Sequence, residues 1–270
     1  MAIRGLNPIV EIMFGDFATL IVDQLLNHAT KLQSMYGRPL KIPLILRIPM
    51  GGYRGYGPTH SQTLEKLFFG MPGLLVIACD PIRDQRVIWE RMLQANRPCI
   101  YLENKSLYSF RPEAVASESV YGFNIRSTNS QLPTAYLKLT SWQDRTDALI
   151  FAYGGMVPLA MKVAKSLFIE DELAIVLVVP SLVSPLPTED YADPMTLSKN
   201  ILVLEESTKR SGWGAELAAF FLEECGESVN FRRHAAENTI IPTSMQGESD
   251  VLPDETSCLA AIRSLIYATH

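Results

Sequence analysis

The stretch "IPLILRIPMGGYRGYGPTHSQTLEKLFFGMPGLLVIACDP", residues Ile42–Pro81, decides the fold. "IPLILRIP" is aliphatic and closed by prolines, which predicts a buried strand. The loop after it holds Gly51, Gly52, Gly55 and Gly57, then Pro58 and the tripeptide His60–Ser61–Gln62. "HSQTLEKLFFG" predicts a short helix with Ser61 as its N-cap, and "GLLVIACD" predicts a second strand. Strand, glycine-rich loop, helix and strand form one β-α-β unit, and open sheets of such units place ligands at the carboxyl ends of their strands.

The same alternation continues on both sides. "NPIVEIMF" (Asn7–Phe14) reads as a buried strand, and "DFATLIVDQLLNHATKLQSMYG" (Asp16–Gly37) as a helix stopped by Gly37. "PIRDQRVIWERMLQ" reads as a helix with Pro81 in its first turn, and "PCIYLEN" as a strand. From Ser106 to Asp147 the sequence is polar and without helical period, as expected of a connector with short strands. Order then resumes with "ALIFAYGG", "LAIVLVVPS" and "NILVLEES" as strands, "MVPLAMKVAKSLFIE" and "GAELAAFFLEECG" as helices, and "VNFRRHAAE" as an edge strand. "DETSCLAAIRSLIYA" closes the chain as an amphipathic helix capped by Asp254. The expected fold class is α/β: two three-layer domains with mainly parallel sheets, residues 1–137 (connector 106–137 included) and 138–270.

Composition narrows the function classes. The chain has 270 residues, 47% apolar and 20% charged, with a net charge of −5. No basic stripe offers a nucleic-acid footprint, and the longest apolar runs are too short for a bilayer. Arg4, Asn7, Pro8 and Glu11 interrupt any signal peptide at the start. The four cysteines, Cys79, Cys99, Cys225 and Cys258, have no CxxC spacing and read as free thiols. A soluble protein of a reducing, cytoplasmic compartment is expected.

Chemistry is harder to place. The histidines are His28, His60, His234 and His270. His28 falls within a helix pattern, His234 lies beside two arginines on an expected solvated strand edge, and His270 ends the chain. No His or Cys pair has zinc-ligand spacing, so no metal ligands are nominated. "GGYRGYG" lacks the spacing of a dinucleotide turn, and a phosphate-binding loop is missing. His60 remains, either as a hydrogen-bonded turn residue or as a functional group at a strand's carboxyl end.

The words themselves are similar to those of a known family. "NPIVEIMFGDF", "RGYGPTHSQTLEKLFFGMPGLLVIACDP", "NRPCIYLENKSLY", "LIFAYGGMVPLAMKVAKSL", "SPLPTEDY", "ILVLEESTKRSGWGAELAAFF" and "VLPDETSCLAAIRSL" occur in family order. Together they resemble the β subunit of 2-oxo acid dehydrogenase E1 components, which are thiamine-diphosphate enzymes of the transketolase superfamily. The likeness covers nearly all of the chain.

The resemblance implies a pyrimidine-binding domain followed by a transketolase C-terminal domain. It places Phe17, with Met13 and Phe14 beside it, against the aminopyrimidine ring of thiamine diphosphate; without the resemblance these aromatics read as core. It assigns His60 to proton transfer and acyl guidance, with Gly57, Ser61 and Gln62 shaping the loop. Mg²⁺ and the diphosphate are expected on an α-type partner. Self-association into α2β2, and docking of a lipoyl or acyl carrier protein, are expected as well. The implied reaction transfers an acyl or two-carbon ketol unit to lipoamide, a carrier protein or an aldehyde.

Two family features are not found. The Gly-Asp-Gly…Asn metal motif is absent, as in other β subunits, and "GDF" at Gly15–Phe17 is a look-alike. The glutamate that activates the pyrimidine lies in the family upstream of "IRGLNPIVEI", the point at which this sequence begins. Glu11 sits at the wrong place in the motif to replace it. The chain is therefore expected to be inactive alone, with another polypeptide supplying that segment, or to be a non-catalytic scaffold that dimerises and stabilises a partner. Glu205, Glu206 and "SGWGAE" match the family with structural roles expected, and Trp213 is an interface candidate by residue type.

Overall fold

A computed structural model describes residues 1–110, 119–225 and 229–267, so His270 lies outside the described residues. Two sheets organise the chain. The strands are β1 (Ile9–Glu11), β2 (Ile45–Met50), β3 (Leu75–Ala78), β4 (Cys99–Asn104), β5 (Ser119–Val120), β6 (Phe123–Ser127), β7 (Thr134–Lys138), β8 (Ala148–Ala152), β9 (Ile175–Pro180), β10 (Leu182–Ser184), β11 (Asn200–Thr208) and β12 (Asn230–Ala236).

The first sheet has the order β1-β2-β4-β3-β10, parallel except for antiparallel β10. The second has the order β12-β11-β8-β9-β7-β6-β5, parallel from β12 to β9 and antiparallel beyond. Both are the mainly parallel, helix-flanked sheets expected of two α/β units.

Side-chain alternation explains why these strands read as continuous apolar runs: both faces are covered. Leu46, Ile48 and Met50 of β2 share a core with Leu149 and Phe151 of β8 and Val203 of β11. That core joins the two sheets and includes Trp213, Leu217 and Phe221 of a helix defined below. The other face of the second sheet, with Ala148, Ile150, Leu177 and Leu202, packs on Met156, Val157, Ala160 and Ile262.

Several elements differ from expectation, each for a local reason. β1 is not buried: all three residues are exposed, because the strand is short and pairs only with β2 at the sheet edge. Asp16–Gly37 is not one helix but a 3-10 turn (Gly15–Ile21), a π-type turn (Gln24–Ala29) and α1 (Leu32–Tyr36). Only Ala18 and Leu25 of its helical residues after Gly15 are buried, so packing does not impose a regular helix.

Ser61 does not cap a helix. The only helical turn there is Glu65–Phe68, and Ser61 is tied elsewhere, as described below. α2 (Gln85–Gln94) starts after Pro81, with Asp84 as its N-cap accepting from the Arg86 N–H at 3.0 Å.

The remaining helices are α3 (Met156–Asp171), α4 (Ala192–Leu197), α5 (Trp213–Cys225), α6 (Met245–Val251) and α7 (Glu255–Tyr267). Trp213, an interface candidate by type, is 1% exposed and belongs to the internal core. The connector region contributes β5 to β7, which extend the second sheet. The α7 cap is as expected: Asp254 Oδ1 accepts from the Ser257 N–H at 2.7 Å, and these bonds lower the Asp254 carboxyl below its ordinary range. Asp254→Ala is expected to cost about 1 kcal/mol, read from the midpoint of chemical denaturation.

No helix among the described residues is long and apolar enough to cross a membrane. Cys79, Cys99 and Cys258 are free thiols, and burial pushes each up to about 12.

Candidate active site

The glycine-rich loop after β2 meets Asn104 of β4 and Glu206 of β11. Asn104, at the end of β4, shows how close the approach is. A Cβ on Gly51 would sit 2.5 Å from the Asn104 Nδ2, and a Cβ on Gly155, after β8, would collide with the same amide. Gly51 also has φ of +102°, which side chains rarely adopt.

Glu206, at the end of β11, completes this junction. Its carboxylate accepts from the Gly52 N–H (2.6 Å), Thr63 Oγ1 (3.0 Å) and Asn104 Nδ2 (2.6 Å). One buried acid of the second half thus satisfies three donors of the first. Burial still pushes its carboxyl up, because those bonds only partly offset the lost hydration. The expected structural role of Glu206 is what this geometry provides.

From that anchor the loop carries His60 to the aromatic segment after β1. The His60 ring lies 4.4 Å from Phe14 and 5.6 Å from Phe17, edge-on to both, and the two phenylalanine rings are 6.1 Å apart. Three of the residues expected in the site therefore form one aromatic cluster. Met13 follows β1 and is 68% exposed, beside the cluster in sequence but open to solvent. Gly57 is buried, with φ of +76°. Gln62 Nε2 donates to Asp16 Oδ1 at 2.8 Å, which links the loop to the turn bearing Phe17. Asp16 Oδ2 is buried with no hydrogen-bond partner among the described residues.

Residues that the sequence did not single out complete the surroundings. Lys105 Nζ donates to the His60 carbonyl at 2.6 Å and sits 4.7 Å from the Phe14 ring centroid. It also lies 5.5 Å from the Tyr56 ring, which Arg54 covers at 5.2 Å. Burial lowers the Lys105 ammonium below its ordinary value. The signal in the sequence was weak: a lysine just after a strand reads as a solvated end.

The other histidines stand apart. His28 lies near Asp23 on an exposed turn, its Nε2 4.0 Å from the carboxylate. His234 lies on the edge strand β12 as expected, but its ring is half-buried, meets Ser257 Oγ at 3.0 Å, and burial lowers its pKa. Among the described residues, no three His, Cys, Asp or Glu side chains are grouped to hold a metal.

The comparisons agree with this layout. Residues 1–111 match the pyrimidine binding domain of transketolase, and residues 138–257 match the transketolase C-terminal domain. The pyruvate dehydrogenase E1 component subunit beta of Gracilaria tenuistipitata var. liui is 30% identical, over 98% of this chain and 78% of that protein. The same subunit of Rickettsia conorii is 24% identical over the same shares. The subunit beta of acetoin:2,6-dichlorophenolindophenol oxidoreductase of Cupriavidus necator is 27% identical over 96% of this chain and 73% of that one.

A split-gene transketolase, solved as an inactive β4 tetramer, superposes with a TM-score of 0.73 at 17% identity, over all of this chain and 79% of that one. Sequence and fold lead to one assignment: the chain belongs to the family of pyruvate dehydrogenase E1 β subunits, built from the pyrimidine-binding and C-terminal domains of transketolase.

Proposed function

We propose that this chain is the β-like subunit of a split thiamine-diphosphate enzyme of E1 or transketolase type. In this reading the cofactor lies between the chain and an α-type partner that holds Mg²⁺ and the diphosphate. The complex, an α2β2 assembly, transfers an acyl or two-carbon ketol unit to lipoamide, a carrier protein or an aldehyde. The observation that carries it is the His60–Phe14–Phe17 cluster formed by the glycine-rich loop and the segment after β1.

The residues present fit such a cofactor. Phe14 and Phe17 offer aryl surfaces to a flat ring. Asp16 Oδ2, without a partner among the described residues, would accept from the amino group of the pyrimidine, which would relieve a buried acceptor. Bound there, thiamine diphosphate supplies an electron sink for cleavage next to a carbonyl.

The chain's own residues do the rest. His60 can hold or deliver a proton at a ring nitrogen, the work of a general acid or base. Thr59 Oγ1, 3.0 Å from the His60 Nδ1, directs the proton-exchanging role to the other ring nitrogen. Lys105 donates to the His60 carbonyl, and an ammonium there would favour an anionic substrate group. Lys66, tied to Thr208 and Arg210, fastens the far end of the loop to β11.

Calorimetric titration of thiamine diphosphate into the chain mixed with its α-type partner and Mg²⁺ tests the proposal. Saturable binding is expected in the mixture. Phe14→Ala is expected to weaken it about 3- to 10-fold, the loss of one aromatic contact. Absence of binding in the mixture, or equal affinity in the variant, would count against the reading.

A further inference from the structure

The loop answers to a second acid, one that the aromatic cluster does not touch. Glu248 of α6 is fully buried, and no ion pair satisfies it among the described residues. Its Oε1 accepts from the Arg54 N–H at 3.1 Å, and its Oε2 accepts from Ser61 Oγ at 3.0 Å. Residues 54 and 61 are the two ends of the segment that contains Gly55, Gly57 and His60. A single carboxylate therefore bridges the neck of that segment.

The neck fits the acid closely. A Cβ on Gly52 would lie 2.8 Å from the Glu248 Oε1 and 2.7 Å from Leu252 Cδ1, so the loop can rest on α6 only without a side chain there. Tyr53 Oη donates to the Pro253 carbonyl at 2.7 Å, just beyond α6. α6 is itself anchored, with the Glu248 N–H on the Ser244 carbonyl at 2.9 Å and Ser244 Oγ accepting from the Gly247 N–H at 3.1 Å. Elsewhere on the loop, Glu206 accepts from the Gly52 N–H and Lys105 donates to the His60 carbonyl.

We infer that Glu248 is a positioning residue: its carboxylate clasps Arg54 and Ser61 and thereby holds the His60 ring edge-on to Phe14 and Phe17. Its consequence for turnover rests on the function proposed above, while the clasp itself does not. Hydrogen bonds to an ionised acceptor are stronger than neutral ones. A reacting group displaced by about 1 Å can cost on the order of 100-fold in rate.

The test reads the ring directly. With ¹³C-labelled histidine, the His60 Cε1–H resonance, identified by its loss in His60→Asn, carries a ring-current shift from Phe14 and Phe17. In Glu248→Ala it is expected to move towards the position of solvated His28. In Glu248→Gln it is expected to stay, because the amide still accepts from Arg54 and can donate to Ser61 Oγ.

Gly52→Ala keeps the carboxylate but obstructs the loop, and it should displace the resonance as Glu248→Ala does; it serves as the test if the latter does not fold. A merely structural Glu248 would lower the melting temperature and leave the folded-state resonance in place. A resonance unmoved in a folded Glu248→Ala or Gly52→Ala protein overturns the inference. These spectra need no cofactor, so failed cofactor binding would leave the clasp standing. In the reconstituted enzyme the matching expectation is a 10- to 100-fold lower kcat for Glu248→Ala, with Glu248→Gln near the parent value.

Discussion

Turnover by the reconstituted complex is expected to fall about 100- to 10,000-fold when His60 is replaced by alanine, the range lost with a general acid–base group. The measurement is kcat with the α-type partner, thiamine diphosphate and Mg²⁺ at saturation. The substitution separates chemistry from scaffolding, because the loop is held through other groups. Lys105 grips the backbone carbonyl of residue 60, Glu248 grips Arg54 and Ser61, and Glu206 grips Gly52 and Thr63. Alanine leaves all of these in place and removes only the ring contacts with Phe14, Phe17 and Thr59. Cofactor affinity should therefore change much less than kcat. Undiminished turnover would take His60 out of the mechanism.

The second large effect concerns stability rather than rate. Glu205 is fully buried beside the junction, where burial and then the neighbouring Glu65 carboxyl push it up to about 8. The Gly214 N–H at 3.3 Å, Arg233 and Lys66 pull the other way without prevailing. Among the described residues, its Oε2 and the Oε2 of Glu65 both lack hydrogen-bond partners, while Tyr153 Oη donates to the other Glu65 oxygen at 2.6 Å.

The sign follows from which state keeps the proton. Between the ordinary value of 4.5 and about 8, the unfolded chain releases the Glu205 proton and the folded chain retains it. The contribution is therefore full below 4.5 and is lost as pH rises through about 8. The shift corresponds to roughly 4–5 kcal/mol as an upper bound. Glu205→Gln, which mimics the protonated acid, is expected to flatten the decline in unfolding free energy between these limits and to be the more stable protein at alkaline pH. Denaturant titrations across that range decide it. An unchanged slope would show that Glu205 is ionised in the folded protein. Glu65 and Glu206 are also raised, so part of the decline should persist in the variant.

Much of this molecule is legible in its sequence, and the exceptions are informative. β2, β3, β4, β8, β9 and β11 were readable because each is largely buried and carries a run of apolar residues. Phe14, Phe17 and His60 were nominated through family words, and the structure brings the three rings together.

Contacts between distant residues were not readable. Nothing near Ser61 in the sequence announces Glu248, so a serine before a helical pattern looked like a cap. A short apolar strand at an edge has the same local pattern as a buried one, so β1 was misread. Trp213 shows the opposite error: its type suggested an interface, yet it fills the space beside Phe151 and Tyr153. Glu205 and Glu206 were read as strand-end carboxylates, but their number inside one seam depends on three-dimensional neighbours.

β10 has a consequence for how such a gene can be divided. It follows β9 of the second sheet, yet Leu182 and Ser184 pair in register with Ile77 and Val76 of β3, antiparallel. A break in the reading frame between the halves would strand the closing segment of the front sheet on the rear product. Neither product would be self-contained, and recombination that exchanges one half must carry a matching β10 with the other.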